Sequence, residues 1–102
     1  MSEEHFETIW NKSEELIASE VSKQPTAPII EELIAKLALY KALDLNDKIP
    51  EEEKQKLKTH LFGKLLIALS KLSFKENVNV YTAMKQAMEE LRLSQLELAF
   101  TR

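Results

Sequence analysis

Apolar residues recur at three- and four-residue spacing along four stretches, and this period is typical of amphipathic α-helices. The pattern predicts helices over about residues 3–22, 29–43, 50–74 and 80–98. Pro25 and Pro28 prevent the first helix from continuing, and Pro50, followed by three glutamates, favours a new helix start. Asn79 is a suitable N-cap for the last helix. The sequence therefore predicts an all-α, four-helix bundle.

The second and third helices are apolar around most of their circumference. In the third, one stripe contains Leu57, Leu61, Leu65, Ala68, Leu69 and Leu72. A helix of this kind must be covered on more than one side, so we expect copies of the chain to associate through the two central helices. Gly63 is the only glycine, and it costs about 1 kcal/mol relative to alanine inside a helix. We expect a neighbouring helix to approach closely there. The polar turns before Leu57 are expected to project into solvent.

Length and charge narrow the class of protein. A chain of 102 residues suits one domain, 1–102, rather than two. The 14 lysines and arginines are dispersed among 17 acids, which disfavours binding to nucleic acid. The longest apolar run, Leu65–Leu69, is far shorter than the roughly 20 residues that span a bilayer, so no membrane association is predicted. The acidic N-terminus lacks an apolar signal region, and we expect a cytoplasmic protein. Without cysteine, disulfides and thiolate catalysis are excluded.

Spacing alone marks no catalytic constellation, because the two histidines lie in different helices and no glycine-rich loop is present. Glu31 and Glu32 stand out because they interrupt a helix that is otherwise apolar almost all round. Carboxylates in such a place need a basic side chain, a metal ion or water. His60 is better interpreted as a half-exposed surface residue than as a general base. Trp10 lies on the apolar stripe of the first helix, which favours packing over ligand stacking.

The stretch Leu61–Leu72 (LFGKLLIALSKL), followed by Asn79 and Ala83, resembles the second half of MazG-type nucleoside triphosphate pyrophosphohydrolase domains. Glu31 and Glu32 fall where this family carries a Glu-Glu-x-x-Glu motif, and the resemblance covers roughly residues 29–92. It implies an all-α, MazG-like fold that assembles as dimers or higher oligomers. It also implies a site in which carboxylates from two helices hold Mg²⁺ against a triphosphate.

This sequence departs from the family's pattern at the implied metal ligands. Ala35 replaces the third glutamate of the first motif, while Leu61 and Lys64 replace the Glu and Asp of the second. A lysine there repels the ion that an aspartate would bind. The resemblance thus implies a catalytically degenerate domain, without metal or cofactor, that acts through self-association or a protein partner.

Two alternatives remain open. The first is an active, Mg²⁺-dependent pyrophosphohydrolase whose site is shifted or shared between subunits, with Glu31, Glu32 and His60 as its candidate residues. The second is an unrelated helical adaptor or regulatory protein.

Lys64 lies on a narrow polar ridge of the third helix together with His60 and Lys71. We expect Lys64 to take the place of the metal ion by neutralising Glu32 or Glu31 between the two helices. In the alternative interpretation, the Lys64 side chain simply extends along this ridge into solvent.

Overall fold

Four α-helices form the computed structural model, which describes the backbone of residues 3–100 and the side chains of residues 5–98. They are α1 (Glu3–Val21), α2 (Thr26–Asp44), α3 (Glu51–Lys75) and α4 (Val80–Phe100). The prediction of an all-α chain with four helices is confirmed. Residues 1–2 and 101–102 of the predicted domain lie outside the described part.

The start of α2 shows the largest difference from the predicted boundaries. Pro25 is the N-cap in an extended conformation (φ −66°, ψ 161°), and the helix begins at the next residue. Pro28 therefore falls in the first turn of α2, where its missing N–H removes no intrahelical hydrogen bond.

The central element is α3, which packs on both α1 and α2. Near its C-terminal end, Leu72 packs against a small core made of Ile17 and Val21 from α1 and Ile29 from α2. Trp10 is also buried, with 5% of its surface exposed, as its predicted packing role requires.

Small side chains allow α1 to approach α3 closely at Ser70. The Ser13 and Ser70 hydroxyl oxygens lie 3.0 Å apart, and Ser70 is only 1% exposed. The predicted close approach at Gly63 does not occur within the chain, because a Cβ added there would meet no atom within 4 Å. Within one chain, the close contact between helices therefore lies two turns beyond Gly63, at Ser70.

The α2–α3 hairpin is closed by two lysines of α3 at the C-terminus of α2. Lys54 is 6% exposed, and its Nζ donates to the main-chain carbonyl oxygen of Asp44 at 3.1 Å. Lys58 Nζ lies 2.6 Å from Asp44 Oδ1. Cations at a helix C-terminus satisfy carbonyls that have no intrahelical partner and interact favourably with the helix dipole. The expectation that this polar turn projects into solvent is therefore wrong for Lys54.

Two capping motifs set the direction in which α4 leaves α3. Asn77 adopts a left-handed conformation (φ 55°), its N–H donates to the Phe74 carbonyl at 3.2 Å, and the Val78 N–H donates to the Ser73 carbonyl at 2.9 Å. This pair of bonds is a Schellman motif. Asn79 Oδ1 then accepts the Thr82 N–H at 2.9 Å, which confirms its predicted N-cap role.

The bundle is open because α4 extends away from the other helices. Residues 82–98 are all exposed, and the contacts of α4 with the other helices are sparse. The Cα radius of gyration is 17.1 Å, whereas a compact chain of this length has a value of about 13 Å. A large part of the apolar surface is therefore left uncovered in a single copy.

Candidate functional site

Glu32 lies at the place where α1, α2 and α3 come together. Its Oε2 is 3.4 Å from Lys71 Nζ on α3, and its Oε1 is 3.0 Å from Lys36 Nζ one turn along α2. Lys71 Nζ is also 3.8 Å from a carboxylate oxygen of Glu20 on α1. With only 13% of its side chain exposed, Lys71 connects all three helices.

These lysines determine the ionisation of Glu32. The hydrogen bond from Lys36, assisted by the charge of Lys71, holds the pKa of the Glu32 carboxyl below its ordinary value, although partial burial acts in the opposite direction. The carboxylate is thus ionised and neutralised by two ammonium groups. A divalent cation brought to it would be repelled by both, so the arrangement suits a structural ion pair better than a metal site.

The other residues of the predicted site do not join this cluster. Glu31, Ala35, His60 and Lys64 are exposed, and Leu61 is half-buried. Within residues 5–98, no group of three or more histidine, aspartate or glutamate side chains could hold a metal ion, so Glu31, Glu32 and His60 do not form one in a single chain.

The predicted pair of Glu32 and Lys64 has a different cation in the structure. Among the described side chains no ion pair joins Lys64 to Glu31 or Glu32, and Lys71 contacts Glu32 instead. Lys71 is seven residues beyond Lys64 on the same ridge, which places it two turns closer to the end of α3 where α1 also packs.

Exposed apolar side chains are the dominant feature of the surface. In the described part, 20 large apolar side chains have between 37% and 77% of their surface exposed. On α4 the set contains Met84, Met88, Leu91, Leu93, Leu96 and Leu98, of which Met84, Met88, Leu91 and Leu98 share one face of the helix. On α2 and α3 the set contains Ile30, Ile34, Leu37, Leu39, Leu57, Phe62, Ile67, Leu69 and Phe74. Extensive exposed apolar surface is typical of protein interaction sites.

A groove of about 550 Å³ separates the first turns of α4 from the ends of α2 and α3 that face it. Its lining is almost wholly apolar and includes Ile30, Leu69, Leu72, Val80, Ala83, Met84 and Ala87. We refer to it as the α4 groove. The sequence predicts its members individually as apolar positions, but the groove itself depends on the angle at which α4 leaves α3.

A second, more polar cavity of about 490 Å³ lies between α1 and the start of α4. Trp10 Nε1 donates to Glu14 Oε1 at 2.7 Å on its wall. The Tyr81 hydroxyl is buried beside this cavity and has no hydrogen-bond partner in the described part of the chain. Burial raises the pKa of Tyr81, and the nearby carboxylates of Glu7 and Glu14 act in the same direction. Periodicity did not mark Tyr81, because its burial depends on the α3–α4 connection.

None of the described helices is long and apolar enough to cross a bilayer.

Comparison of the chain with known protein families, proteins and structures identifies no relative. No protein-family model matches the chain, no curated protein matches it significantly, and no solved structure does so either.

Proposed function

We propose that this chain is a non-catalytic, MazG-like helical domain that functions by associating with copies of itself or with a partner protein. The observation that carries the proposal is the apolar face of α4, on which Met84, Met88 and Leu91 are 60%, 62% and 60% exposed. The MazG-like part of the proposal is supported by the residues of α3 that resemble that family.

The energetic reason is that an amphipathic helix is stabilised mainly by covering its apolar face. Burial of apolar surface contributes about 25 cal/mol per Å². In a single copy, the buried apolar side chains of the described part are few: Trp10, Ile17, Val21, Ile29 and Ala68. Association supplies the missing burial for α2, α3 and α4 together.

The absence of catalysis in the proposal is supported by chemistry at Glu32 and its surroundings. Its carboxylate is already neutralised by Lys36 and Lys71. Ala35 and Leu61 provide no ligand atoms at the positions where the resembled family has carboxylates. A metal-bound triphosphate at Glu32 would therefore meet two ammonium groups and would lack the ligands that the resembled family supplies at positions 35 and 61.

Light scattering combined with circular dichroism over a dilution series tests the association. We expect a helical dimer or larger assembly at micromolar concentration. A well-folded monomer at that concentration would overturn the self-association part of the proposal.

A pyrophosphate-release assay tests the competing enzymatic function. Unmodified and modified nucleoside triphosphates are incubated with the protein and Mg²⁺ or Mn²⁺, and we expect no release above the protein-free control. Metal-dependent release that is lost in Glu32→Gln would establish the enzyme and contradict the non-catalytic proposal.

A further inference from the structure

We propose that the polar cavity between α1 and the start of α4 binds a linear aliphatic diamine, with one ammonium group at Glu7, the other at Glu14 and the methylene chain on Trp10. We refer to this cavity as the α1–α4 cavity. The inference goes beyond the proposed self-association and does not depend on it, because α1, the α3–α4 connection and the start of α4 form the cavity within one copy.

One wall of the α1–α4 cavity presents an aromatic ring between two carboxylates. Glu7, Trp10 and Glu14 occupy positions i, i+3 and i+7 of α1 and therefore share one face of the helix. Seven residues of helix separate the two glutamates by about 10 Å along the axis. The hydrogen bond of 2.7 Å from Trp10 Nε1 to Glu14 Oε1 orients both side chains. A ligand with a charge at each end and an apolar middle matches this order.

The charge of the lining selects an organic cation. Within the described part of the chain, no lysine, arginine or histidine lines the α1–α4 cavity, and its remaining polar members are neutral: Asn11, Ser73, Asn77 and Asn79. An anionic ligand would be repelled by the two glutamates, whereas a cation is attracted. No group of three or more histidine, aspartate or glutamate side chains among residues 5–98 could hold a metal ion, which favours an ammonium group as the cation.

The Tyr81 hydroxyl is a polar atom of this cavity region that still needs a partner. It is buried and makes no hydrogen bond within the described part of the chain, although buried polar groups are normally paired. Burial raises the pKa of Tyr81, and the charges of Glu7 and Glu14 raise it further, so both carboxylates lie near this hydroxyl. A neutral phenol oxygen accepts a hydrogen bond from an ammonium group. The rings of Trp10, Phe74 and Tyr81, which all line the cavity, also favour a cation.

The size of the α1–α4 cavity suits a small molecule. Its volume of about 490 Å³ lies within the range of about 300–1,000 Å³ that is usual for small-molecule sites. Aliphatic amines remain protonated well above neutral pH, so both ends of a diamine carry a charge. A monoamine would leave one of the two carboxylates without a cationic partner, and charge-assisted hydrogen bonds are the stronger ones. A diamine is therefore the better occupant.

Tryptophan fluorescence tests the binding directly, because Trp10 is the only tryptophan of the chain and lines the α1–α4 cavity. Cadaverine is titrated into the protein near neutral pH and at constant ionic strength, and pentylamine, which has the same carbon chain but one ammonium group, is the comparison. We expect a saturable fluorescence change and a dissociation constant for cadaverine at least about tenfold lower than that for pentylamine. Equal dissociation constants, or no saturable change up to millimolar cadaverine, would overturn the inference.

Glutamate-to-glutamine substitutions on α1 locate the binding. Glu7→Gln and Glu14→Gln remove one charge each but keep the side-chain size, and a glutamine at position 14 still accepts the bond from Trp10. We expect each to raise the dissociation constant for cadaverine at least about fivefold. Glu15→Gln, at an exposed position of α1 that does not line the cavity, is the matched control and should leave it unchanged.

Circular dichroism of each variant shows that it is folded, and Glu7→Gln provides the test even if Glu14→Gln unfolds, because Glu7 is exposed. If Glu15→Gln weakens cadaverine binding as much as Glu7→Gln does, the amine responds to the overall charge of α1 and the inference fails.

Discussion

Lys71 is the side chain through which the three packed helices interact electrostatically. It is largely buried and lies near carboxylates of both Glu32 and Glu20. Without Lys71, Glu32 keeps only Lys36 as a partner, so we expect the loss to exceed that of a fully exposed surface pair. Lys71 therefore neutralises Glu32 between α2 and α3, which is the role that we predicted for Lys64.

A lysine-to-methionine comparison tests this difference. Lys71→Met keeps the apolar stem but removes the charge, and we expect the free energy of unfolding to fall by about 1–3 kcal/mol. Lys64→Met, on the exposed part of the same ridge, is the control and should change it by less than about 0.5 kcal/mol. Urea denaturation at a fixed protein concentration measures both. Equal effects of the two substitutions would contradict the assignment of the ion pair to Lys71.

The lowered pKa of Glu32 predicts a pH dependence of stability. Because the folded-state pKa lies below the ordinary value of 4.5, the carboxylate stabilises the fold fully above that value and loses this contribution as pH falls through the folded pKa. We expect the unmodified protein to lose stability on acidification below about pH 5 more steeply than Glu32→Gln does. Urea midpoints measured at successive pH values give the comparison, and parallel curves for the two proteins would exclude a contribution from Glu32.

The choice between Lys64 and Lys71 lies beyond what helical periodicity can decide. The two lysines are seven residues apart, so they share one face of α3. Only the axial register of α2 against α3 determines which of them meets Glu32. That register is set by side-chain packing near Leu72 and by the capping of α2 by Lys54, and neither is encoded in a local pattern.

At the scale of elements, the α3–α4 connection determines how much surface stays exposed. Asn77 in its left-handed conformation ends α3, and Asn79 begins α4 two residues later. Because the connection is this short, α4 is directed by backbone hydrogen bonds rather than by packing on the bundle. The outcome is the groove between α4 and the other helices.

Substitutions at Asn77 test the connection. Asn77→Ala puts a less tolerant side chain in the left-handed conformation, and we expect a loss of about 1 kcal/mol in the free energy of unfolding. Asn77→Gly adopts the same conformation without a Cβ and should be neutral or stabilising. Thermal unfolding of the two variants beside the unmodified protein gives the order. Should Asn77→Gly be the less stable of the two, the connection is not formed as described.

A substitution at Gly63 tests whether this part of α3 is free of contacts with another helix. A methyl group at this position meets no atom within 4 Å, so Gly63→Ala should stabilise α3 by about 0.5–1 kcal/mol through its higher helix propensity. Urea denaturation provides the measurement, and a loss of stability would mean that another copy approaches α3 at Gly63.

Helix positions were predictable from the sequence because proline, asparagine and apolar spacing are local signals. The predicted start of α3 at Pro50 differs from the observed Glu51 by one residue, and the Asn79 cap is as predicted. The mutual arrangement of the helices was not predictable. Close contact at Ser70 instead of Gly63, and the burial of Lys54, both depend on how helices distant in sequence cross one another.

For the molecule as a whole, the central feature is the mismatch between its apolar surface and its small core. A Cα radius of gyration of 17.1 Å and the uncovered face of α4 describe a chain whose helices are formed but not enclosed. Both follow from the outward direction of α4. The proposed self-association predicts such an open form, because a second copy would cover apolar surface that a single copy leaves exposed.

The dependence of unfolding on protein concentration tests this account most directly. If folding requires association, unfolding also dissociates the copies, so the urea midpoint must rise with protein concentration. For a dimer, a hundredfold increase in concentration should raise the apparent free energy of unfolding by about 2.7 kcal/mol. Circular dichroism at matched urea concentrations provides the measurement. A cooperative transition whose midpoint does not change over that range would show that a single copy is stable by itself and would contradict the account.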